Sequence, residues 1–244
     1  IELIKALVNI MEWDYEFDVV VVGSGNGALT AALCSHDGGA KTLVIEKSSQ
    51  FGGTSATSGG GVWIPNNRYA KAENVDDSDQ DARNYINSVS PEGMIKDELI
   101  ETYISEGPRM IDYLHENSQV KYRNLAHYPD YFPDNTGGKE GNRSMEPEPI
   151  FGTELGDDLG KLREQHPQTA FTMGPINMNF TQVEGQLLLG ALPGWKTQFA
   201  KLFTKYILDF AMRLKWGWKD FSYTRLPLPT SLYVYFQFTA DKFI

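Results

Sequence analysis

The sequence predicts an α/β fold, a parallel βαβ unit near the start followed by amphipathic helices, and three observations predict it. Four valines, Val19 to Val22, end in a glycine; small and apolar residues at helical spacing follow, Ala28, Ala31, Ala32 and Leu33; and a second apolar run, Thr42 to Ile45, ends in Glu46. Short β-branched runs suit a central parallel strand buried on both faces. Gly38-Gly39 supplies the C-cap of the helix. Strand, glycine turn, helix and strand within about thirty residues make a βαβ unit.

The turn after the first strand reads Gly23-Ser24-Gly25-Asn26-Gly27-Ala28, a G-x-G-x-x-A pattern. Gly23 permits the tight turn, Gly25 lets a pyrophosphate approach the backbone, and Ala28 lets the helix pack closely on the strand. The helix N-terminus offers amides and partial positive charge to phosphates. Glu46 lies 21 residues beyond Gly25, at the end of the second strand, where a carboxylate accepts hydrogen bonds from ribose hydroxyls. Such a carboxylate also disfavours a 2′-phosphate and hence NADP. The unit is Rossmann-like.

A second glycine-rich loop follows at once. Lys47 leads into Gly52-Gly53-Thr54-Ser55, and then Ser58-Gly59-Gly60-Gly61. A nicotinamide that comes and goes has no need of it. A resident flavin does, because its pyrophosphate and ring need backbone amides at contact distance where side chains would obstruct. FAD is the expected cofactor, held by Gly23 to Ala28, Glu46, Lys47, Gly52, Gly53, Thr54, Ser55, Ser58, Gly59, Gly60 and Gly61.

The stretch from Glu46 to Asn67, which closes with Val62-Trp63-Ile64-Pro65-Asn66-Asn67, resembles the fumarate reductase/succinate dehydrogenase flavoprotein superfamily. Within it the 3-ketosteroid Δ1-dehydrogenase branch is the most similar. Pro129 to Pro133, Gly137-Gly138-Lys139, Gly141-x-Arg143 and Glu146-Pro147 resemble the same branch. The resemblance runs from about Asp14 to Pro149 and more loosely to about Asp220. It implies 1,2-desaturation of a 3-ketosteroid, in which a base removes a proton beside the ketone while hydride passes from the adjacent carbon to the flavin. It also implies tyrosines over the substrate ring, and Tyr131, then Tyr128, are the positions carried over. A phenol ionises at about pH 10, so a basic role requires a hydrogen-bonded partner or a polarised ketone. The alternative is that both tyrosines only line a pocket. His127 is within reach of a relay role by its titration range, or is a surface residue of the loop.

Downstream, Asp76 to Val89 and Ile95 to Asn117 read as amphipathic helices, the second with Leu99, Ile100, Tyr103, Ile104, Met110, Ile111 and Leu114 on its stripe. Residues 127–149 read as a long structured loop. Lys196 to Asp220 reads as a helix with Phe199, Leu202, Phe203, Tyr206, Phe210 and Leu214 on one side. Six basic residues there face only Asp209 and Asp220, in a chain whose net charge is −10. Contact of residues 196–220 with a membrane surface is one reading and ordinary packing the other. The acidic balance argues against nucleic acid as a partner. Cys34 is the single cysteine, so a disulfide framework is excluded and a cytoplasmic setting is expected. No His/Cys/Asp/Glu set has metal-ligand spacing, and no G-x-S-x-G is present.

The expected organisation is an N-terminal extension over 1–13, an FAD-binding portion over 14–150, a helical linker or cap over 151–221 and an atypical tail over 222–244. By resemblance the flavin domain is discontinuous, with a C-terminal return that this sequence does not show. An incomplete domain, weak FAD binding and little turnover are therefore expected, with a partner chain needed if the fragment is functional. A dicarboxylate reductase and a non-catalytic nucleotide-binding subunit remain the alternatives.

Overall fold

The computed structural model describes residues 14–148, 150–163, 172–173, 178–179, 182–190, 193–216 and 225–226. The expected extension over 1–13, and all of the tail except Arg225 and Leu226, lie outside the described residues.

The βαβ unit forms as expected. β1 (Val19–Val22) pairs in parallel with β2 (Thr42–Ile45), Val19 opposite Thr42, and α1 (Asn26–Asp37) connects them. Gly39, at φ +88°, turns the chain out of α1, a conformation that costs glycine little. The expectation of strands buried on both faces is corrected. Val21 and Val44 pack against Leu29, Ala32 and Leu33 of α1, whereas Val20, Val22 and Ile45 are exposed at 51, 78 and 43%. A two-stranded sheet with its helix on one side covers only that side.

The second glycine loop contains one helical turn, α2 (Gly53–Ala56), where a loop was expected. β3 (Val62–Trp63) leaves it, and α3 (Arg68–Ala72), not foreseen, follows the Asn66-Asn67 turn. Asn67 explains α3. Its side-chain oxygen accepts from the amides of Tyr69 and Ala70, the work of an N-cap, while its Nδ2 donates to the carbonyls of Ile64 and Asn142.

α4 (Asp79–Val89) begins at its N-cap Ser78, and α5 (Asp97–Asn117) follows. The buried stripe of α5 is Ile100, Ile104, Gly107, Ile111 and Leu114, at alternating spacings of four and three. Leu99, Tyr103 and Met110, expected on that stripe, are exposed. β4 (Tyr122–Asn124) and β5 (Ser144–Pro147) bracket the expected loop. Its end is therefore a strand, forming an antiparallel sheet ordered β3-β5-β4.

β6 (Ile150–Phe151) pairs with β9 (Arg225–Leu226), and β7 (Thr172–Met173) with β8 (Met178–Asn179). A 3₁₀ helix over Gly152–Lys161 returns to the second glycine loop: Phe51 N donates to Lys161 O and Arg163 N to Phe51 O. Leu155 and Leu162 thereby join the core of Leu29, Leu33, Phe51, Ile64, Ile111 and Met145. α6 (Gln182–Leu189) packs on α7 (Trp195–Trp216). On α7, Leu202 is buried, whereas Phe199 and Phe203 are half exposed and stack on each other at 6.1 Å; the side chains of Tyr206, Phe210 and Leu214 lie outside the described residues. No helix among the described residues is long and apolar enough to cross a membrane.

Candidate flavin and substrate site

Both glycine loops converge at the carboxyl end of β1. Gly23 turns at φ +96°, and α1 starts at Asn26 with no side-chain cap and no acid in its first turn. The first helical bond runs from Leu29 N to Gly25 O. The amides of the first turn precede it and have no helix carbonyl to bond, which is the geometry that receives a pyrophosphate.

The second loop is held against the first by two serines. Ser24, 1% exposed, donates its hydroxyl to Glu46 Oε2 at 2.5 Å and accepts from Gly52 N at 2.8 Å. Ser55 Oγ accepts from Asn26 N at 3.0 Å. A Cβ added to Gly25 would meet Ser55 Oγ at 3.5 Å, and one added to Gly53 would meet Gly25 at 3.6 Å. The two loops thus lie in van der Waals reach of each other across these glycines. Gly52, at φ +104°, faces Ala56 so closely that a side chain there would collide with it. The Ser24 hydroxyl, and after it the Ser48 amide, hold Glu46 below the ordinary carboxylate range, so it stays an anion with lone pairs for a ribose. Lys47, beside it, is exposed.

The remaining glycines face the two tyrosines. Ser58, Gly59, Gly60 and Gly61 line a cavity of about 300 Å³ together with Tyr128 and Tyr131. Tyr131 is 83% exposed, and among the described residues neither phenol is hydrogen-bonded. The partner expected to activate a basic tyrosine is not among these residues. His127 is exposed and outside the cavity lining.

A buried ion cluster holds the tyrosine-bearing loop in place. Arg143, 1% exposed, donates to Asp77 through Nε and NH2 and to Asp130 Oδ2 at 2.8 Å. Asp130 Oδ1 accepts from Trp63 Nε1 at 2.6 Å, and its Oδ2 also accepts from Lys139 N. The guanidinium lies over the rings of Trp63 and Tyr85, 5.5 and 5.7 Å from their centroids. Burial works against its charge, but the hydrogen bonds and charge of Asp77, with those of Asp130, outweigh burial and raise its pKa. Tyr131 is thus tethered by its neighbour Asp130. The sequence showed Gly141-x-Arg143 only as a motif; its partners lie 66 and 13 residues away and are joined by the fold. Tight glycines complete the loop. Added Cβ atoms at Gly137, Gly138 and Gly141 would fall 2.1–2.4 Å from backbone oxygens.

A Rossmann-like cradle for a dinucleotide, joined to a second glycine loop that faces aromatic residues, defines a flavoprotein of the α/β class. The FAD binding domain family model matches residues 18–198, and the chain belongs to that family, with FAD as its cofactor. Its relatives include the 3-oxosteroid 1-dehydrogenase of Mycolicibacterium smegmatis, 38% identical over 69% of this chain and 29% of the relative. That of Comamonas testosteroni is 33% identical over 83% of this chain and 35% of the relative. A 4-oxocyclohexanecarboxylate 2-dehydrogenase of Sinomonas cyclohexanicum is 38% identical over 64% and 27%. The crystal structure of 3-ketosteroid delta1-dehydrogenase from Sterolibacterium denitrificans in complex with 1,4-androstadiene-3,17-dione superposes with a TM-score of 0.76 at 34% identity, over 90% of this chain and 38% of that one. The chain spans about a third of the length of these relatives.

Proposed function

We propose that this chain supplies the nucleotide cradle and one wall of the substrate site of an FAD-dependent dehydrogenase that desaturates a cyclic ketone, a 3-ketosteroid first. The observation that carries the reading is the cavity in which Gly59, Gly60 and Gly61 face Tyr128 and Tyr131. It brings backbone that a flat ring can approach to within reach of two phenols, and the relatives' names supply the substrate class.

Bound FAD supplies a hydride acceptor. The residues of the chain do the rest. Gly23 to Ala28 and Gly52 to Ser55 hold the pyrophosphate, Glu46 takes the ribose, and Gly59 to Gly61 admit the ring. Tyr131, its own proton first released to solvent from its exposed hydroxyl, takes the proton from the carbon beside a polarised ketone as hydride leaves the adjacent carbon, so that two C–H bonds break and one C=C bond forms. Tyr128 closes the same wall and keeps water from the reacting carbons. We assign residues 14–150 to the flavin-binding portion and 151–221 to the cap.

The relative that acts on 4-oxocyclohexanecarboxylate favours a single-ring ketone as a second substrate class. A dicarboxylate reductase is less well supported, because Arg143 is consumed by Asp77 and Asp130.

The test is FAD reconstitution followed by anaerobic addition of a 3-keto-4-ene steroid, with bleaching of the oxidised flavin as the readout. The expected result is bleaching, slow because the chain supplies only one wall of the site, that Tyr131→Phe slows at least about 100-fold further, as loss of a general base does, with FAD affinity unchanged. Flavin that binds yet is bleached equally fast in parent and variant removes Tyr131 from the chemistry. Flavin that binds but is never bleached by cyclic ketones removes the dehydrogenase reading.

A further inference from the structure

Two apolar surfaces stand open on this chain, and each has the shape of a cover for the other. The face of the β1–β2 sheet turned away from α1 carries Val20 and Val22, with Leu43 and Ile45 directly across from them on β2. All four are apolar, and all but Leu43 are exposed. On α7, Trp195, Phe199, Phe203 and Ile207 recur at every fourth residue and are 37, 53, 54 and 47% exposed. Residues four apart on a helix lie one above the other, so these four form one stripe.

The sheet dictates what can cover it. Sheets of parallel strands carry helices on both faces, because the strands are apolar on both. Two strands about 5 Å apart, with their side chains, present a face about one helix wide. α1 already covers the opposite face in this way, Leu29, Ala32 and Leu33 lying against Val21 and Val44. Lengths agree as well. The stripe on α7 runs about 18 Å at the helical rise, enough to cross strands of four residues, about 13 Å long.

Charge points the same way. Chains of net charge −10 repel one another at a distance, so contact between copies requires a basic element set against an acidic one. Lys196 and Lys201 are exposed on α7, and Asp14, Glu16 and Asp18 are exposed on the approach to β1. Lys41, at the same end of the sheet, is turned to the Glu16 carbonyl and the Phe17 ring. Within one chain the helix stripe and the sheet face are both open. Two chains can close both.

We propose that two copies of this chain associate about a two-fold axis, α7 of each laid across the outward β1–β2 face of the other. Each copy gives a helix and receives one, which closes the pair and leaves neither surface for a third copy. The strands that lead into the cradle are then buried on both faces, since Val22 and Ile45 stand directly before Gly23 and Glu46. The pairing is independent of which substrate the site takes.

The test is sedimentation equilibrium on the full chain with saturating FAD. A dimer with a dissociation constant of about micromolar order is expected, the weak end for interfaces of ordinary size. Val20→Lys puts a charge on the sheet face and Phe203→Glu puts one on the stripe. Both positions are half exposed, so both variants should fold, as unchanged circular dichroism would verify. Each variant alone damages both contacts of the pair and should weaken association at least about tenfold. An equal mixture of the two variants keeps one intact helix and one intact sheet face that can meet. It should dimerise at least about tenfold more tightly than either variant alone.

A parent that stays monomeric at every concentration would overturn the proposal, and binding of such a monomer to anionic vesicles, lost in Phe203→Glu, would give α7 to a lipid surface instead. Dissociation by Val20→Lys alone would mean that sheet faces meet each other, and dissociation by Phe203→Glu alone that helices do. Either result overturns the exchange, as does a mixture that fails to recover.

Discussion

Ser24 links three parts of the cradle through one hydroxyl: its own turn, the carboxylate of Glu46 and the amide of Gly52. Replacing it with alanine removes the largest cause of the lowered Glu46 pKa and frees the second glycine loop. Ser24→Ala is expected to raise the Glu46 pKa toward its ordinary value, read by NMR titration, and to weaken FAD binding about tenfold, the usual cost of one charge-assisted hydrogen bond. The sign follows from linkage. A depressed carboxylate pKa contributes stability above its unfolded value, and that contribution is lost as pH falls through the folded value. Ser24→Ala should therefore flatten the acid limb of the stability profile. The glycines and Glu46 were legible in the sequence because a phosphate contact demands backbone without side chains at a fixed spacing. Ser24 occupied a variable position of that pattern, and its role depends on two loops meeting in space.

At the level of elements, the segment from Leu125 to Arg143 is positioned by its ends and by Asp130 rather than by regular structure. Arg143→Met leaves Asp77 and Asp130 buried without their partner and is expected to cost about 3–5 kcal/mol, measured by urea unfolding. Asp130→Asn, which keeps one acceptor oxygen for either Trp63 Nε1 or the Lys139 amide, should cost less. α3 is tied to α5 and β4 differently. The Tyr69 hydroxyl accepts from Tyr122 N and shares a hydrogen bond of 2.8 Å with His115 Nδ1. Burial, followed by the nearby charges of Arg68 and Lys121, lowers the His115 pKa. A lowered histidine pKa means that the unfolded chain takes up the proton first. Stability should therefore fall as pH drops below about 6.5, the ordinary histidine value, and His115→Asn, which keeps an acceptor, should blunt that fall in urea midpoints between pH 7.5 and 5.5. His115 gave no signal in the sequence because its partner Tyr69 lies on α3, which carried no helical periodicity of its own beyond the Asn67 cap. The long helices were legible because their apolar spacing is sustained over several turns. The ends of the stripe were not, since Leu99 and Met110 satisfy the pattern yet stay exposed, and Tyr103, also exposed, turns its ring to Trp63.

Across the whole molecule, the sheet of β1 and β2 has one packed face and one carrying Val20, Val22 and Ile45. Exposed β-branched strands invite pairing with other chains. Concentration-dependent self-association is expected by light scattering, and Val22→Lys, 78% exposed in the parent, should suppress it with little change in stability. Strand burial was misjudged because an apolar run reports suitability for a buried strand, whereas the cover on each face comes from elements elsewhere. The ion cluster around Arg143 has a further consequence, in the order of events. β1, α1 and β2 lie close in sequence, but Asp77 and Arg143 close a loop of 66 residues, and long closures come late because their entropy is lost before their contacts form. The cradle should thus assemble ahead of the tyrosine-bearing loop, and damage to the cluster should speed unfolding more than it slows folding. A molecule caught between the two steps would already grip the nucleotide, and the compartment meant for rings would still be open to water.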